Sequence, residues 1–339
     1  MTEKLKDKWL KLYFLAQQIG AFEPWDDFEE ADHFSYVWKD KSKAIHFSFI
    51  GEWIGQCGIA CYTSDENYMR ARELMKNGCK AHEPVFDLQN ALICLWDDRE
   101  DISNADYKLI KELGFKFRGR GAWLHFNKYE IGYEATSLDE KDIDLLITAF
   151  ENLNMMLRAI YEQGLDPEFD KGHTLLRWYE PKDELYYTHP FKIDIPRTVI
   201  KRPIVTMQDN EFMRVCKKAP FANFSVELDW SYLPFPMKEG KEKAYFPLSV
   251  MMADAKSGMI IANELLEPDD DKIALTFEIF EYFAEKRGKP NEIFICDEDI
   301  KGIISDVCKR CGIKLTMKKH LPKISEARND LIKHILNTN

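Results

Sequence analysis

Between Phe224 and Leu336 the sequence changes hydrophobic period in a fixed order, and that order constrains the fold more than any other feature of the chain. Three β-type runs come first: Phe224–Trp230, Phe246–Ala253 and Met259–Leu266. The last two are joined by the turn Asp254-Ala-Lys-Ser-Gly258. An amphipathic helix follows over Asp271–Arg287, closed by Gly288 and Pro290. Then come a short strand (Glu292–Asp297), a helix (Ile300–Cys311), a strand (Ile313–Met317) and a last helix (Ser325–Leu336). Apolar periods of 2 and 3.6 residues set these assignments. Gly312 ends one helix, and Ser325 is the expected N-cap of the last or lies near it. Strands in this order, alternating with helices after the third, predict a mixed sheet covered by helices.

The preceding two-thirds read differently. Leu5, Trp9, Leu12, Tyr13, Ala16 and Ile19 recur at helical spacing, and Gly20 stops that helix. Phe34–Trp38, Ala44–Ile50 and Cys57–Tyr62 form an aromatic-rich β meander. Helices are expected over Glu66–Asn77, Ser103–Leu113 and Asp139–Gln163, with a strand over Ala91–Trp96 and extended pieces over Phe117–Phe126 and Ile131–Ala135. Residues 1–163 thus read as an α+β domain. Pro167, Pro181, Pro190, Pro196 and Pro203 break residues 164–213 into a β-rich connector with strand-like Leu175–Tyr179 and Leu185–Ile195 and a short helix, Asp209–Lys218. Residues 214–339 form the C-terminal domain.

Charge and ends narrow the class. There are 47 Lys and Arg against 58 Asp and Glu, a net −11. Such a balance argues against a surface that as a whole coats nucleic acid or anionic membrane. No run reaches the roughly 18 apolar residues of a membrane helix. The charged N-terminus lacks the apolar core of a signal peptide. The expectation is a cytoplasmic protein without a membrane partner, its eight cysteines mostly core thiols.

The C-terminal element order, the Asp254-x-x-Ser257-Gly258 turn and acids at Asp229, Asp297 and Glu326 resemble the ribonuclease H-like fold, most closely its integrase/transposase branch. The resemblance implies that these three carboxylates converge on Mg²⁺ or Mn²⁺. Asp299 or Glu298 would be a substitute ligand, Asp254 a lesser candidate, and Lys333, two turns beyond Glu326, a substrate contact. Two hard cations about 4 Å apart would activate water and stabilise the leaving oxygen of a phosphodiester. The sequence departs from that branch: Glu298-Asp299 follows Asp297 where small residues are expected. The interval from Asp297 to Glu326 is also short, and Pro234, Pro236 and Gly240 stretch the loop after Asp229. The whole chain also resembles a family of bacterial two-domain proteins, a likeness that implies no activity.

Two functional readings follow. The departures favour a non-catalytic protein with a ribonuclease H-like scaffold, whose aromatic N-terminal domain binds a partner protein or small ligand. The alternative is a divalent-metal-dependent phosphodiesterase or nuclease using Asp229, Asp297 and Glu326.

Other motifs read as structural. Cys308-Lys-Arg-Cys311 lacks the second ligand pair of a zinc site. Arg118-Gly-Arg-Gly121 is a basic turn without the strand-to-helix setting of a phosphate loop. Trp9, Tyr13, Trp25, Phe28, Phe34, Tyr36, Trp38, Phe47, Phe49 and Trp53 read as core rather than as a base-stacking platform. His33, His46 and His125 are isolated, and Asp97–Asp101 reads as a solvated acidic loop. One patch stays open. Residues 214–339 hold 20 basic and 20 acidic residues. Within them Lys309, Arg310, Lys314, Lys318, Lys319, Lys323, Arg328 and Lys333 face only Glu326 and Asp330. Such a stripe is a candidate footprint for nucleic acid.

Overall fold

A computed structural model describes residues 1–51, 56–78, 80, 83–192, 200–238, 240 and 243–338. They divide into two units, both mixtures of sheet and helix.

The first unit gathers residues 1–78, 89–130 and 135–200. Its strands are β1 (His33–Val37), β2 (Ala44–Ile50), β3 (Cys57–Tyr62), β4 (Ala91–Asp97), β5 (Trp123–Tyr129), β6 (Thr174–Glu180) and β7 (Leu185–Phe191). They form one sheet in the order β5-β4-β3-β2-β1-β6-β7, antiparallel throughout except for the parallel pair β1–β6. Its helices are α1 (Glu3–Gly20), α2 (Pro24–Asp27), α3 (Asp65–Asn77), α4 (Asn104–Leu113) and α5 (Glu140–Tyr161). Strand alternation divides the side chains between the faces. Phe34, Phe47, Phe49, Cys61 and Cys94 join Trp9, Leu12, Tyr13 and Ile19 of α1 and Phe150, Leu153 and Leu157 of α5 in one core. Helix α3 packs on β2 and β3.

The predicted 164–213 connector is not a separate piece. Its strands are β6 and β7, which continue the first sheet through β1. The parallel β1–β6 pairing depends on residues some 140 positions apart, beyond the reach of local periodicity. The extended piece Ile131–Ala135 makes an isolated bridge, Tyr133 with Tyr245, and residues 131–134 belong to the second unit.

The second unit comprises residues 79–88, 131–134 and 201–339. Its strands are β8 (Ser225–Tyr232), β9 (Leu248–Asp254), β10 (Ile260–Leu266), β11 (Glu292–Ile295) and β12 (Lys314–Met317), and its helices are α6 (Asn210–Lys218), α7 (Lys272–Arg287), α8 (Glu298–Cys311) and α9 (Pro322–Thr338). The sheet order is β10-β9-β8-β11-β12. β8, β9 and β10 are antiparallel, and β11 and β12 run parallel to β8. A meander whose first strand is central, extended by two parallel strands, is the ribonuclease H-like arrangement. Val226, Leu228 and Trp230 of β8 face a core shared with α6, α7 and α8. On the other face, Met251 and Ala253 of β9 pack with Leu321 and Ile324 beneath α9.

Helix α9 begins at Pro322, so Ser325 lies inside it rather than at its cap. Proline suits a first turn because its missing N–H needs no partner there. The cap comes from another strand: Glu227 Oε2 on β8 accepts from the backbone N–H groups of Lys323 and Ile324, both at 2.9 Å. Helix α8 is wrapped by an extended strip. Val205 N–H donates to the Gly302 carbonyl and Met207 N–H to Asp306. Any side chain at Gly302 would collide with the Pro203 carbonyl, so the strip requires glycine there.

Candidate functional site

Strand β8 alternates apolar and polar residues although both its faces are covered. Glu227, Asp229 and Ser231 therefore point into the protein beneath α9, and none exceeds 2% exposure. A buried charge requires paired charge or hydrogen bonds, and each of the three finds them. Glu227 caps α9. Asp229 Oδ2 accepts from Arg328 Nη2 of α9 at 2.8 Å, and its Oδ1 accepts from Lys80 Nζ at 2.7 Å. Lys80 also donates to the Trp230 carbonyl. Ser231 Oγ donates to Glu83 Oε1 at 2.8 Å, and the Tyr232 N–H donates to the same oxygen at 3.1 Å. Burial alone would push the Asp229 carboxyl up. The positive charges of Lys80 and Arg328 and their hydrogen bonds outweigh it, holding the carboxyl below the usual range.

The other sequence-predicted residues stand elsewhere. Asp297 is the N-cap of α8, its Oδ1 accepting from the N–H groups of Asp299 and Ile300. The reason is strand phase. β11 pairs with β8 at Ile293–Val226 and Phe294–Glu227. Two residues on, the same register sets Cys296 beside Asp229, and the Cys296 thiol lies 3.5 Å from Asp229 Oδ1. Burial, with the Asp229 charge added, pushes that thiol up to about 12. Asp299 is paired with Arg202 at 2.9 Å, and Glu298 with Lys301 at 3.0 Å. The Glu326 side chain is 68% exposed and meets Lys323 at 3.3 Å. Lys333 is exposed on α9. Asp254 closes its own turn, accepting from the Lys256 and Ser257 N–H groups and the Ser257 hydroxyl. Among the described residues no three His, Cys, Asp or Glu side chains are placed to share a metal ion.

The basic stripe is largely spent inside the unit. Arg310 bonds the Met207 carbonyl and Asp306, Lys314 pairs with Glu292, and Lys318 sits over the Phe294 ring. Lys323 meets Glu326, while Arg328 is buried on Asp229. Lys309, Lys319 and Lys333 are left exposed, with no ion-pair partner among the described residues.

In the first unit the histidines are not isolated, contrary to the sequence reading. His33 and Ser35 of β1, His46 of β2 and Thr174 of β6 share the sheet face under α3. Register sets Ser35 opposite His46 and His33 opposite Thr174. One donor assignment satisfies the chain: Thr174 Oγ1–H to His33 Nδ1 (3.0 Å), His33 Nε2–H to Ser35 Oγ (2.9 Å), Ser35 Oγ–H to His46 Nδ1 (2.6 Å) and His46 Nε2–H to Asp65 Oδ1 (2.8 Å). Tyr68 of α3 stacks on both rings. Burial, with His46 and Arg72 adding to it, lowers the His33 imidazole to about 2. His125 likewise donates to Asp97 at 2.8 Å, and both are buried, so Asp97 ends a strand rather than opening a solvated loop. The alternation His33-Phe-Ser-Tyr-Val37 was the available signal of a polar face.

The lesser motifs take structural places. Cys308 and Cys311 are buried in the second core. Arg118 and Arg120 are exposed, and the turn is anchored on an acid: the Gly121 N–H donates to Asp98 at 2.7 Å. Of the aromatic set, Trp9, Tyr13, Phe34, Tyr36, Phe47 and Phe49 are core, Phe28 and Trp38 are half-buried against it, and the half-buried Trp25 meets Trp96 at 4.8 Å. Trp53 and Cys79 lie outside the described residues, as does the end of the Leu185–Ile195 piece.

Fold and site define a two-unit α+β protein whose second unit is ribonuclease H-like, with an ion-paired aspartate on its central strand. Residues 9–177 match DUF7309 and residues 212–332 match DUF6930, each described as a domain of unknown function. No curated protein matches the chain. Among solved structures, the chain is similar to the HTLV-2 integrase catalytic core domain in complex with magnesium (dimeric form). The identity is 18% over 36% of this chain and 74% of that one, with a TM-score of 0.26. The strand order β10-β9-β8-β11-β12 defines the fold of the second unit.

Proposed function

We propose that this chain is a non-catalytic ligand- or partner-binding protein of the cytoplasm, in which a unit of the integrase/transposase branch serves as scaffold. One observation carries the reading: Asp229 holds two cationic side chains, Arg328 at 2.8 Å and Lys80 at 2.7 Å. Arginine stays charged at any ordinary pH, so an ion pair stands where a metal would need free oxygens. Cys296, a soft and protonated donor, is the neighbour that phase supplies, and hard divalent ions take oxygen instead. Asp297 and Glu326 are engaged elsewhere, one as a helix cap and one with Lys323. No described cysteine is in a disulfide, which suits a reducing compartment. Among the described residues no helix is long and apolar enough to cross a membrane.

The test is a Mg²⁺ and Mn²⁺ titration followed by thermal melting. A ligand that binds only the folded state raises the melting temperature by linkage. The expected result is no divalent-dependent rise that Asp229→Ala removes, and no metal-dependent cleavage of single- or double-stranded DNA or RNA. A rise abolished by Asp229→Ala, accompanied by such cleavage, would overturn the reading in favour of a nuclease.

A further inference from the structure

The first unit contains a cleft of about 720 Å³ between α3 and the 167–174 segment. It adjoins a larger one of about 1120 Å³, which shares Phe28, Met69 and Arg72 with it. Both are of the size that holds a small organic molecule.

Arg72 is the telling residue. Its guanidinium is held by neutral acceptors: Nη1 donates to the Ala31 carbonyl at 2.8 Å and to the Tyr68 hydroxyl at 3.0 Å. No carboxylate among the described residues takes the remaining fork, although Asp32 is near enough to feel its charge. A guanidinium fixed in this way and left without a carboxylate is preorganised for one. Asp170 and Asp32, whose Oδ2 accepts from the Glu29 N–H at 2.9 Å, also line the cleft. Burial holds the Asp32 carboxyl above its usual range, although the Glu29 N–H and the Arg72 charge partly offset it. Phe28, Met69 and Phe169 supply the apolar part of the cleft's lining, with Phe28 and Phe169 meeting edge to face at 5.8 Å.

We propose that this cleft binds a small zwitterion, a free amino acid with an apolar side chain. Its carboxylate lies on Arg72, its ammonium faces Asp32 and Asp170, and its side chain rests against Phe28, Met69 and Phe169. A purely anionic ligand would meet the acids, and a purely cationic one would leave the Arg72 fork empty. The proposal deepens the binding reading and rests on it, but it draws only on the first unit. Metal binding at Asp229 would overturn that reading and leave the cleft untouched. Failure of the cleft would leave the ion-paired Asp229 as it is.

The experiment is isothermal titration calorimetry on the full chain with four probes: L-phenylalanine, L-leucine, L-phenylalaninamide and N-acetyl-L-phenylalanine. Phenylalanine and leucine are expected to bind saturably. Each blocked form, lacking one charge, is expected to bind at least about tenfold more weakly. Arg72→Met should cost phenylalanine about tenfold or more while leaving the amide unchanged, and Asp32→Asn should weaken phenylalanine and amide together. Melting curves without ligand check that the variants fold. Should Arg72→Met unfold, the probe series and Asp32→Asn decide alone. Absence of saturable binding of both amino acids in the millimolar range overturns the proposal. So does an amide that binds as tightly as phenylalanine, which would make the cleft a plain cation site.

Discussion

Each unit buries a polar patch on interior strands beneath one helix, and the two patches are balanced in opposite ways. Under α9, Glu227, Asp229 and Ser231 are matched by distant chain: backbone amides of α9, Arg328, Lys80 and Glu83. Under α3, His33, Ser35, His46 and Thr174 are matched mainly by each other, through short hydrogen bonds set by strand register. The first solution relies on full charges in a poor solvent for them. Removing one partner strands the other, so its weakness is deletion. The second relies on the buried His33 imidazole staying uncharged, so its weakness is acid.

The largest expected effect tests the charged patch. Arg328→Met leaves Asp229 buried with only Lys80 and should cost about 3–5 kcal/mol of unfolding free energy. Urea midpoints at constant m-value would measure it. The triple variant Asp229→Leu, Arg328→Met and Lys80→Met removes all three charges and should recover most of the loss, because no buried charge is then left without its partner. If Arg328→Met melts like the parent protein, the aspartate is not a buried charge and the contrast between the patches collapses.

Acid separates the patches by window. The folded His33 imidazole lies far below its ordinary value, so between about pH 6.5 and that low value the unfolded chain binds a proton that the folded chain refuses. Stability from this group is complete above about pH 6.5 and declines below it, by up to ~1.4 kcal/mol per pH unit. Asp229 is also lowered in the fold, but from a carboxylate reference near 3.9. Its contribution is complete above that value and is lost only as pH falls through the lower folded one. Unfolding free energy against pH should therefore begin to fall below about pH 6.5 and steepen below about 3.9. His33→Gln should remove the early onset, and Asp229→Asn should lessen only the later steepening, to which Asp254, Glu292 and Asp306 also contribute. A profile that is flat from pH 7 to 4.5 would show that His33 is not sealed from protons.

Much of the second unit was legible because its elements are local. The 2.0 and 3.6 periods located all five strands and the helices between them, and Asp229 stood out as an acid inside an apolar run. What surrounds Asp229 was not local. Lys80 lies 149 residues earlier, in a stretch without periodicity, and the Glu227 cap joins residues 96 and 97 apart. The site was displaced by a single position. Asp297 and Cys296 are neighbours in sequence, but alternation puts them on opposite sides of β11, and register with β8 rather than composition selects the cysteine. In the first unit, β6 was recognised as extended but assigned to a connector, because a parallel pairing with β1 leaves no trace in either strand alone.

The smallest expected effect concerns the two faces of α9, and it sharpens the contrast between buried and solvated charge within one helix. Arg328 and Glu326 are two residues apart, which turns one side chain into the protein and the other out. Glu326 meets Lys323 at the surface at 3.3 Å, and exposed pairs of this kind contribute little. Glu326→Ala and Lys333→Ala should each change unfolding free energy by no more than about 0.5 kcal/mol, an order of magnitude below Arg328→Met. They should also leave the amino-acid titrations of the first unit unchanged. A loss above about 1 kcal/mol for either would show that the outer face of α9 is not free in solution. A partner or a second copy of the chain would then be pressed on it, and the concentration dependence of the melting temperature would reveal which.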